Sequence, residues 1–250
     1  ITITSAYYCS DFMSSVNGAP ADKEWFSCGY VALLLNRSND NNFWAQDELY
    51  PVFGSDSMQG YVLPFGGEGS IISPYIISTE NELRLARILV NTEESWAAKS
   101  YKLGADIYVS NPETANNFAP FGSMGNVFKG TFDGDGHTIS GINLYSSGND
   151  VALFPGLSGT IKNLNIDNFT VTGNINVAAI SSQSDGIITN CTVKNSTVTG
   201  YRNVGGIVGY NFGKISFCNN YACVNGTLIV GGIVGLHEDD TVESCFNYGN

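Results

Sequence analysis

Short stretches of alternating apolar and polar residues fill most of the chain after residue 100. A typical stretch, GTIKNLNIDNFTVTG at 159–173, alternates with a period of two and is interrupted by Gly or Asn. Such alternation places apolar side chains on one face of a β-strand, and Gly and Asn suit the turns between strands. This part of the chain is therefore predicted to be all-β.

The strand pattern also recurs at a constant interval. Two series keep this interval through four copies: Ile161, Ile188, Ile215 and Val242, and Leu164, Cys191, Cys218 and Cys245. A third series is Gly159, Gly186 and Gly213, with Asp240 in the fourth copy. The apolar start VALF at 151 aligns with VAAI at 177 and with VGGIV at 204 and 230, which contain Gly205, Gly206, Gly231 and Gly232. One copy earlier, we align GHTISGINL at 136–144 with GTIKNLNI at 159–166, an offset of about 22.

A period of this length is compatible with a leucine-rich repeat, a propeller strand pair or a β-helix. No repeat contains ten residues of helical periodicity, and the leucine framework of a leucine-rich repeat is missing. We therefore predict a right-handed parallel β-helix with coils of about 22–27 residues and short capping helices. The two apolar series are predicted to form ladders of stacked side chains about 4.8 Å apart, with the glycines at turns.

Two segments have helical patterns instead. STENELRLARILVN at 78–91 starts with a capping box, Thr79 and Glu82, ahead of an apolar stripe that suits a lid on the open end of the β-helix. DKEWFSCGYVALLLN at 22–36 is predicted to be one helix, weakened by Gly29. With a Gly/Pro-rich stretch at 62–74, this gives four predicted regions. They are a closing segment of a preceding array (1–64), a linker (65–74), a capping helix and lead-in (75–100), and β-helix coils cut mid-repeat (101–250).

Composition restricts the partners. Lys and Arg total 11 against 23 Asp and Glu, a net charge of −12, so nucleic acid and direct membrane insertion are not expected. The longest apolar run, YVALLL at 30–35, is too short to span a bilayer. We expect the chain to be an excerpt of a longer extracellular or cell-surface protein, with export signal and anchor outside this segment.

The ordered series of motifs resembles one family. STENELRLARILVN, YKLGADIYVS, FKGTFDGDGHTISGINL, ALFPGLSGTIKNLNI and the paired VGGIVG are similar to the GLUG-motif repeat family, over about 74–250. The head segment, EWFSCGYVALLLN with FWAQDELYPVFG, resembles the closing segment that follows such an array. The resemblance implies a β-helical, non-catalytic module of a large bacterial or protist surface protein. The order of segments suggests tandem modules, and Ala178 and Ala179 depart from the usual glycine pair.

The cysteines have a structural interpretation and a redox one. The series Leu164, Cys191, Cys218, Cys245 calls for a medium-sized apolar side chain, which a reduced buried Cys provides. Neighbours about 4.8 Å apart are too distant for a disulfide. In an oxidising compartment, Cys218 with Cys223, or Cys9 with Cys28, are the alternative pairings.

Candidate metal and catalytic motifs are incomplete. FDGDGH at 132–137 lacks the further ligands of a calcium loop, and HEDD at 237–240 lacks the second His of a zinc-protease motif. The carboxylates Asp133, Asp135, Asp150, Asp167 and Asp185 are scattered among turns, and none recurs on one strand face with the Arg or Lys that would hold an acidic sugar. No metal, cofactor or catalytic residue is therefore predicted.

Five sequons are candidate glycosylation sites: Asn36, Asn168, Asn190, Asn195 and Asn225. The leading functional prediction is a rigid spacer or filament-forming module that contacts neighbouring copies or adjoining modules end to end. The alternative is an adhesin-type module that binds glycans or host or matrix proteins. A polysaccharide-degrading enzyme is the third hypothesis, because a fold alone carries no activity.

Overall fold

The computed structural model describes residues 7–9, 19–21, 23–28, 30–37, 44–46, 51–53, 63–110 and 115–250. The chain divides into two units: Ile1–Phe65 with Asn81–Ile88, and Gly66–Glu80 with Leu89–Asn250. The division after Phe65 coincides with the start of the predicted linker. The assignment of 1–64 as the closing segment of another array remains a prediction.

The described residues of Ile1–Phe65 form two pairs of strands and two helices. In chain order they are β1 (Tyr7–Cys9), β2 (Ala19–Ala21), α1 (Lys23–Ser27), α2 (Tyr30–Arg37), β3 (Trp44–Gln46) and β4 (Pro51–Phe53). β1 and β2 pair in parallel, whereas β3 and β4 are antiparallel. The single helix predicted over 22–36 is therefore wrong: two helices, Lys23–Ser27 and Tyr30–Arg37, cover this range, in keeping with the low helix propensity of glycine in the sequence between them.

From Gly66 onward the chain forms a stack of strands with two helices near its start, and the first of these helices falls in both units, because Asn81–Ile88 is assigned to the first unit. Its elements open with β5 (Tyr75–Ile77), α3 (Glu80–Thr92), α4 (Glu94–Ala97), β6 (Ser100–Leu103), β7 (Ile107–Tyr108), β8 (Thr131–Asp133), β9 (Thr138–Ser140) and β10 (Asn143–Tyr145). They continue with β11 (Phe154–Leu157), β12 (Thr160–Lys162), β13 (Asn165–Asp167), β14 (Thr170–Thr172), β15 (Ile175–Ala178), β16 (Ser181–Ser184), β17 (Ile187–Thr189), β18 (Thr192–Lys194) and β19 (Thr197–Thr199). The last are β20 (Arg202–Gly205), β21 (Val208–Asn211), β22 (Lys214–Ser216), β23 (Asn219–Asn220), β24 (Cys223–Asn225), β25 (Leu228–Gly231), β26 (Val234–His237), β27 (Val242–Glu243) and β28 (Phe246–Asn247).

These strands form five parallel sheets that run along the stack. The sheet orders are β5-β6-β8-β12-β17-β22-β27, β7-β9-β13-β18-β23-β28, β10-β14-β19-β24, β11-β16-β21-β26 and β15-β20-β25. Each regular coil contributes one strand to every sheet, and the chain makes about six turns. The predicted parallel β-helix with few short helices is confirmed.

The register shows where the repeat is regular. Ile161 pairs with Ile188, Ile188 with Ile215, and Ile215 with Val242, each one coil apart. The offset assigned to 136–144 is wrong: Ile139 pairs with Ile166, a step as long as the one from Ile161 to Ile188. The Gly, Thr and Ile residues that the two segments share misled that alignment. GTIK at 159–162 lies opposite β8 instead.

Earlier coils are less regular because other elements replace strands. α3 and α4 lie between β5 and β6, which pair directly in parallel. Here the interior is aromatic: Phe121 stacks on Phe154 at 5.2 Å, and Tyr101, Phe128 and Phe132 are fully buried around them. In later coils the interior side chains are smaller, mainly Ile, Val, Ala and Cys. Large rings at one end and small side chains further along keep the core close-packed.

Helix α3 has its predicted apolar stripe buried. Leu83, Leu85, Ala86, Leu89 and Val90 are all fully inaccessible to solvent. The last turn of α3 is hydrogen-bonded to the loop at 115–130. Asn91 Nδ2 donates to Pro120 O (3.0 Å), and Asn126 Nδ2 donates to Val90 O (2.7 Å). The second bond satisfies a carbonyl group that a helix C-terminus would otherwise leave open.

Candidate functional site

The predicted apolar ladders lie inside the coils. Ile161, Ile188 and Ile215 are fully buried, and Val242 in the last described coil is 37% exposed. Leu164, Cys191 and Cys218 are likewise buried, and the Thr192 N–H donates to Leu164 O (3.0 Å) just as the Asn219 N–H donates to Cys191 O (2.9 Å). Both series therefore line the interior of consecutive coils.

The cysteine series has one repeated geometry. Cys191, Cys218 and Cys245 each direct the thiol to the carbonyl oxygen two residues earlier, at 3.3 Å. The hydrogen bond with the Cys191 thiol, reinforced by burial, raises the pKa of Cys218 to about 12, although a bond from Cys245 opposes the shift. The Cys218 thiol therefore remains protonated at neutral pH and is a poor nucleophile and metal ligand.

No disulfide forms among the described cysteines. Cys28, Cys191, Cys218, Cys223 and Cys245 are free, and the candidate partners Cys218 and Cys223 are buried and exposed respectively. The Cys218–Cys223 pairing is therefore wrong for this structure. The side chain of Cys9 lies outside the described residues, so the pairing with Cys28 remains untested.

The predicted turn glycines lie where the backbones of adjacent coils meet. A Cβ on Gly159, Gly186 or Gly213 would collide with the carbonyl oxygen of the preceding glycine in the column. Gly205 and Gly231 leave no room beside the carbonyls of Val208 and Val234. Gly206 and Gly232 instead admit the side chains of Asn220 and Asn247.

Ala178 and Ala179 keep the geometry of the glycine pairs. Ala178 pairs with Gly205 in the register between β15 and β20, and both alanines are fully buried. In this coil, Ser182 occupies the position that Gly209 occupies in the next coil, and the alanine methyl groups are accommodated. The departure from the repeat pattern therefore leaves the fold unchanged.

A column of left-handed residues was not predicted. Asp150, Asn176, Asn203 and Ile229 occupy one corner of successive coils with φ between 54° and 60°. Asn176 Nδ2 donates to Asp150 Oδ1, and Asn203 Nδ2 donates to Asn176 Oδ1, both at 2.8 Å. Asn tolerates this backbone, and its amide can bond to the neighbouring coil. The near-regular spacing of these side chains was the available sequence signal.

The motif FDGDGH forms another such corner. Asp135 has φ 50°, its N–H donates to Asp133 Oδ1 (2.9 Å), and Asn163 Nδ2 donates to the same oxygen (2.9 Å). Burial raises the pKa of the Asp133 carboxyl, but these hydrogen bonds and Lys162 outweigh that effect and hold it below its usual range. Across residues 63–110 and 115–250 and the described helices before them, no group of three potential ligands could hold a metal.

The other candidate carboxylates are separated. Asp167 accepts from Asn195 (2.8 Å) and pairs with Lys194 (3.6 Å), so it serves the contact between two coils. HEDD at 237–240 is an exposed turn, in which His237 Nδ1 lies 3.2 Å from Asn211 Nδ2. Asp185 is different: it is exposed at the rim of a cleft and has no cation beside it among the described residues.

This cleft crosses three coils and has a volume of about 280 Å³. Ser158, Asp185 and Phe212, at equivalent positions of consecutive coils, lie along it. Ser184 lines it although the residue is only 2% exposed, and its Oγ has no hydrogen-bond partner. Sequence reasoning missed this site, because its residues are ordinary in each repeat and become a group only through the register.

Exposed aromatic rings also align between coils. Tyr221 and Tyr248 stack with centroids 4.7 Å apart and an interplanar angle of 11°, and Phe246 lies 6.2 Å from Tyr248. All three are at least 49% exposed. The two tyrosines are separated by one full coil, so the pair can be predicted once the repeat is known.

Four candidate glycosylation residues lie on the surface. Asn168, Asn190, Asn195 and Asn225 are exposed, while Asn36 lies in α2 with its side chain outside the described set. Asn190 Nδ2 donates to Asn163 Oδ1 (2.8 Å) and Asn195 Nδ2 to Asp167 Oδ1. These two amides serve as bonds between coils, and their modification remains a hypothesis.

Comparisons with known proteins support the fold. No family model matches the chain. The chain is 32% identical over 134 residues to Halomucin of Haloquadratum walsbyi, a match that covers 48% of this chain and 1% of that protein. A crystal structure of a candidate immunoglobulin A1 protease from Bacteroides ovatus superimposes with a TM-score of 0.53 at 22% identity, over 72% of this chain and 66% of that one. The structural comparison is consistent with the β-solenoid fold of this chain.

The chain thus spans a very small part of Halomucin and just under two thirds of the Bacteroides ovatus chain. At 22% identity the latter similarity shows the fold alone. Among the described helices, none is long and apolar enough to cross a membrane.

Proposed function

We propose that this chain is a structural, non-catalytic repeat module of a large extracellular or cell-surface protein, in which it acts as a rigid spacer or fibre building block. The observation that carries this proposal is the continuity of the side-chain columns through consecutive coils. Ile161, Ile188 and Ile215 stack inside, while Asp150, Asn176 and Asn203 are hydrogen-bonded at a corner. Every coil is tied to its neighbours by backbone, apolar and amide contacts, which resist bending.

Outer ion pairs support the same role. Lys102–Asp135 (2.9 Å), Asp133–Lys162 (3.1 Å) and Lys214–Glu243 (2.7 Å) each join one coil to the next. Exposed pairs of this kind add little to stability, because water and salt screen them. Their value lies in fixing the register of side chains along the stack.

End-to-end contact with a neighbouring copy or an adjoining module is part of the proposal. In the last described coil Val230 and Val242 are 44% and 37% exposed, whereas Val204 and Ile215 one coil earlier are fully buried. A further coil with the same period would cover these side chains. The resemblance to the GLUG-motif family and the similarity to Halomucin favour an extracellular repeat array.

A test is to replace residues 101–250 in the full-length protein with a Gly/Ser linker of equal length. Atomic force microscopy of the native surface layer should show a thinner layer of more variable height, because such a linker is a flexible coil. An unchanged layer would contradict the spacer role. The release of sugars from polysaccharides by the intact module alone would support the enzyme hypothesis instead.

An adhesin-type role is the second candidate, and the exposed ring column favours it. Tyr221 and Tyr248 present stacked faces on the outside of the coils, where they do not contribute to the core. Large exposed aromatic surfaces are characteristic of recognition sites. Glycan or protein arrays probed with wild-type chain and a Y221A/Y248A variant would test this role.

A further inference from the structure

The cleft beside Phe212 has the features of a small-ligand site. Its apolar wall includes Val127 and Leu157, and Phe212 contributes a ring that is 36% exposed and packs against Tyr210 at 4.3 Å. At about 280 Å³ it is slightly smaller than the roughly 300–1,000 Å³ typical of drug-sized ligands. The space suits a single ring.

An unsatisfied hydroxyl points to a polar ligand. Ser184 is only 2% exposed, lines the cleft, and its Oγ has no partner in the structure. Its register neighbour Asn211 also has a buried oxygen, Oδ1, without a partner, so the two side chains do not satisfy each other. Buried polar groups are normally hydrogen-bonded, and each exception calls for a ligand or another explanation.

The rim specifies the charge of that ligand. Asp185 lies at the rim with no ion pair among the described residues, and no described Lys or Arg lines the cleft. Gln183 is held in the wall by its amide, which donates to Asp150 Oδ1 (2.7 Å). A carboxylate accepts hydrogen bonds from hydroxyl groups but repels anions, which excludes acidic sugars.

We propose that this cleft binds one neutral pyranose ring, such as the terminal sugar of a glycan. The apolar C–H face of the ring would pack on Phe212, and one hydroxyl would donate to Asp185. Ser184 Oγ is shielded from solvent in this structure, so its side chain would rotate toward the cleft and then both donate to and accept from a second hydroxyl. An ammonium ligand could approach Asp185 and Phe212, but it would leave the Ser184 proton without an acceptor. The site is independent of the spacer role, since a rigid module with or without this ligand remains a spacer.

A second cleft lacks this combination. It has a volume of about 370 Å³ and contains Asp150, whose Oδ1 is already engaged by Asn176 and Gln183. None of its described lining residues has a buried polar side-chain atom without a partner. It therefore gives no comparable indication of a ligand.

The test uses the whole chain of 250 residues and methyl glycosides of glucose, galactose, mannose and N-acetylglucosamine as probes. Saturation-transfer NMR and titration should detect millimolar binding of at least one of them. S184A, D185N and F212A should each weaken it roughly tenfold, as expected for one lost hydrogen bond or ring contact. Matched controls outside the cleft, D239N and F217A, should leave binding unchanged.

Three outcomes would overturn the proposal. The first is no binding of any neutral glycoside up to about 20 mM, the upper limit of the titration. The second is binding that the three cleft variants do not weaken. The third is selective binding of Nα-acetyl-lysine methylamide, whose side chain carries a free ammonium. Thermal melting distinguishes misfolding from lost contacts. S184A should melt at or above the wild-type temperature, because it removes an unpartnered buried hydroxyl.

Discussion

Asn203 and Ile229 occupy the same corner of adjacent coils, both with φ 54°, yet only Asn203 can use that corner for a hydrogen bond. The amide series that runs from Asp150 through Asn176 stops there, and the buried Oδ1 of Asn203 is left without a partner. A β-branched side chain is unfavourable in the left-handed region. This corner is thus a weak point in an otherwise continuous column.

The substitution Ile229→Asn should stabilise the corner at Asn203 and Ile229. Asn relieves the left-handed strain of about 1–2 kcal/mol and offers an amide to Asn203 Oδ1. We expect the free energy of unfolding, measured by urea denaturation, to rise by about 1–2 kcal/mol. Ile187→Asn is the matched control, because Ile187 is similarly exposed (45%) and also lies on a strand, but it does not have the left-handed backbone of Ile229. Equal or lower stability of I229N would show that the corner amides do not bind adjacent coils together.

The interior ladder can be tested with two adjacent isoleucines. Ile188 is fully buried between Ile161 and Ile215, whereas Ile187 is 45% exposed. Ile188→Ala should cost about 2–5 kcal/mol through lost transfer energy and the cavity left behind, and Ile187→Ala less than about 1 kcal/mol. Chemical denaturation measures both. Similar losses for the two variants would contradict the assigned faces of β17.

Alkaline pH should weaken the solenoid through the buried thiol of Cys218. The pKa of Cys218 is raised from 9.0 to about 12, first by its hydrogen bond with Cys191. Between these values the unfolded chain releases this proton and the folded chain keeps it. Stability is therefore fully present below about pH 9 and falls as pH rises toward 12, by up to about 1.4 kcal/mol per pH unit for this group.

Cys218→Val provides the control for that effect, because it keeps a medium-sized apolar side chain without a titrating proton. Denaturation curves from pH 8 to 11 should fall less steeply for C218V than for the wild type. Parallel curves would mean that Cys218 does not retain its proton in the folded state.

The repeat itself predicts tolerance to an added coil. Duplicating residues 174–200 inserts one full register step, so every column continues with Asn176, Ile188 and Cys191 repeated. We expect the variant to fold with an unchanged circular dichroism spectrum shape and equal or higher stability. Duplicating only 174–187 is the control. It breaks the register and should unfold, and survival of both variants would argue against the columns as the source of stability.

Much of the solenoid is visible in the sequence because it repeats. The spacing of Ile161, Ile188, Ile215 and Val242 alone fixes the coil length and the strands that pair. The strand pairing of the first coils cannot be predicted in this way. There α3, α4 and a long connection replace strands, so GHTISGINL was aligned by similar letters instead of by position.

The corner amides and the cleft could not be predicted from the sequence, for another reason. Asn is common in this chain, and only the side-chain contacts show which of these residues, such as Asn176 and Asn203, bond to the neighbouring coil. Ser158, Asp185 and Phe212 share no chemistry and so form no motif. Stacking of consecutive coils alone places them in one site.

Electron microscopy of the full-length native protein tests the central claim most directly. If this chain is a rigid spacer, about six turns at about 4.8 Å each should appear as a straight rod segment of about 29 Å, joined to neighbouring segments in rods or fibres with a fixed axial repeat. Isolated compact particles without rod segments, or segments that bend freely between images, would contradict it.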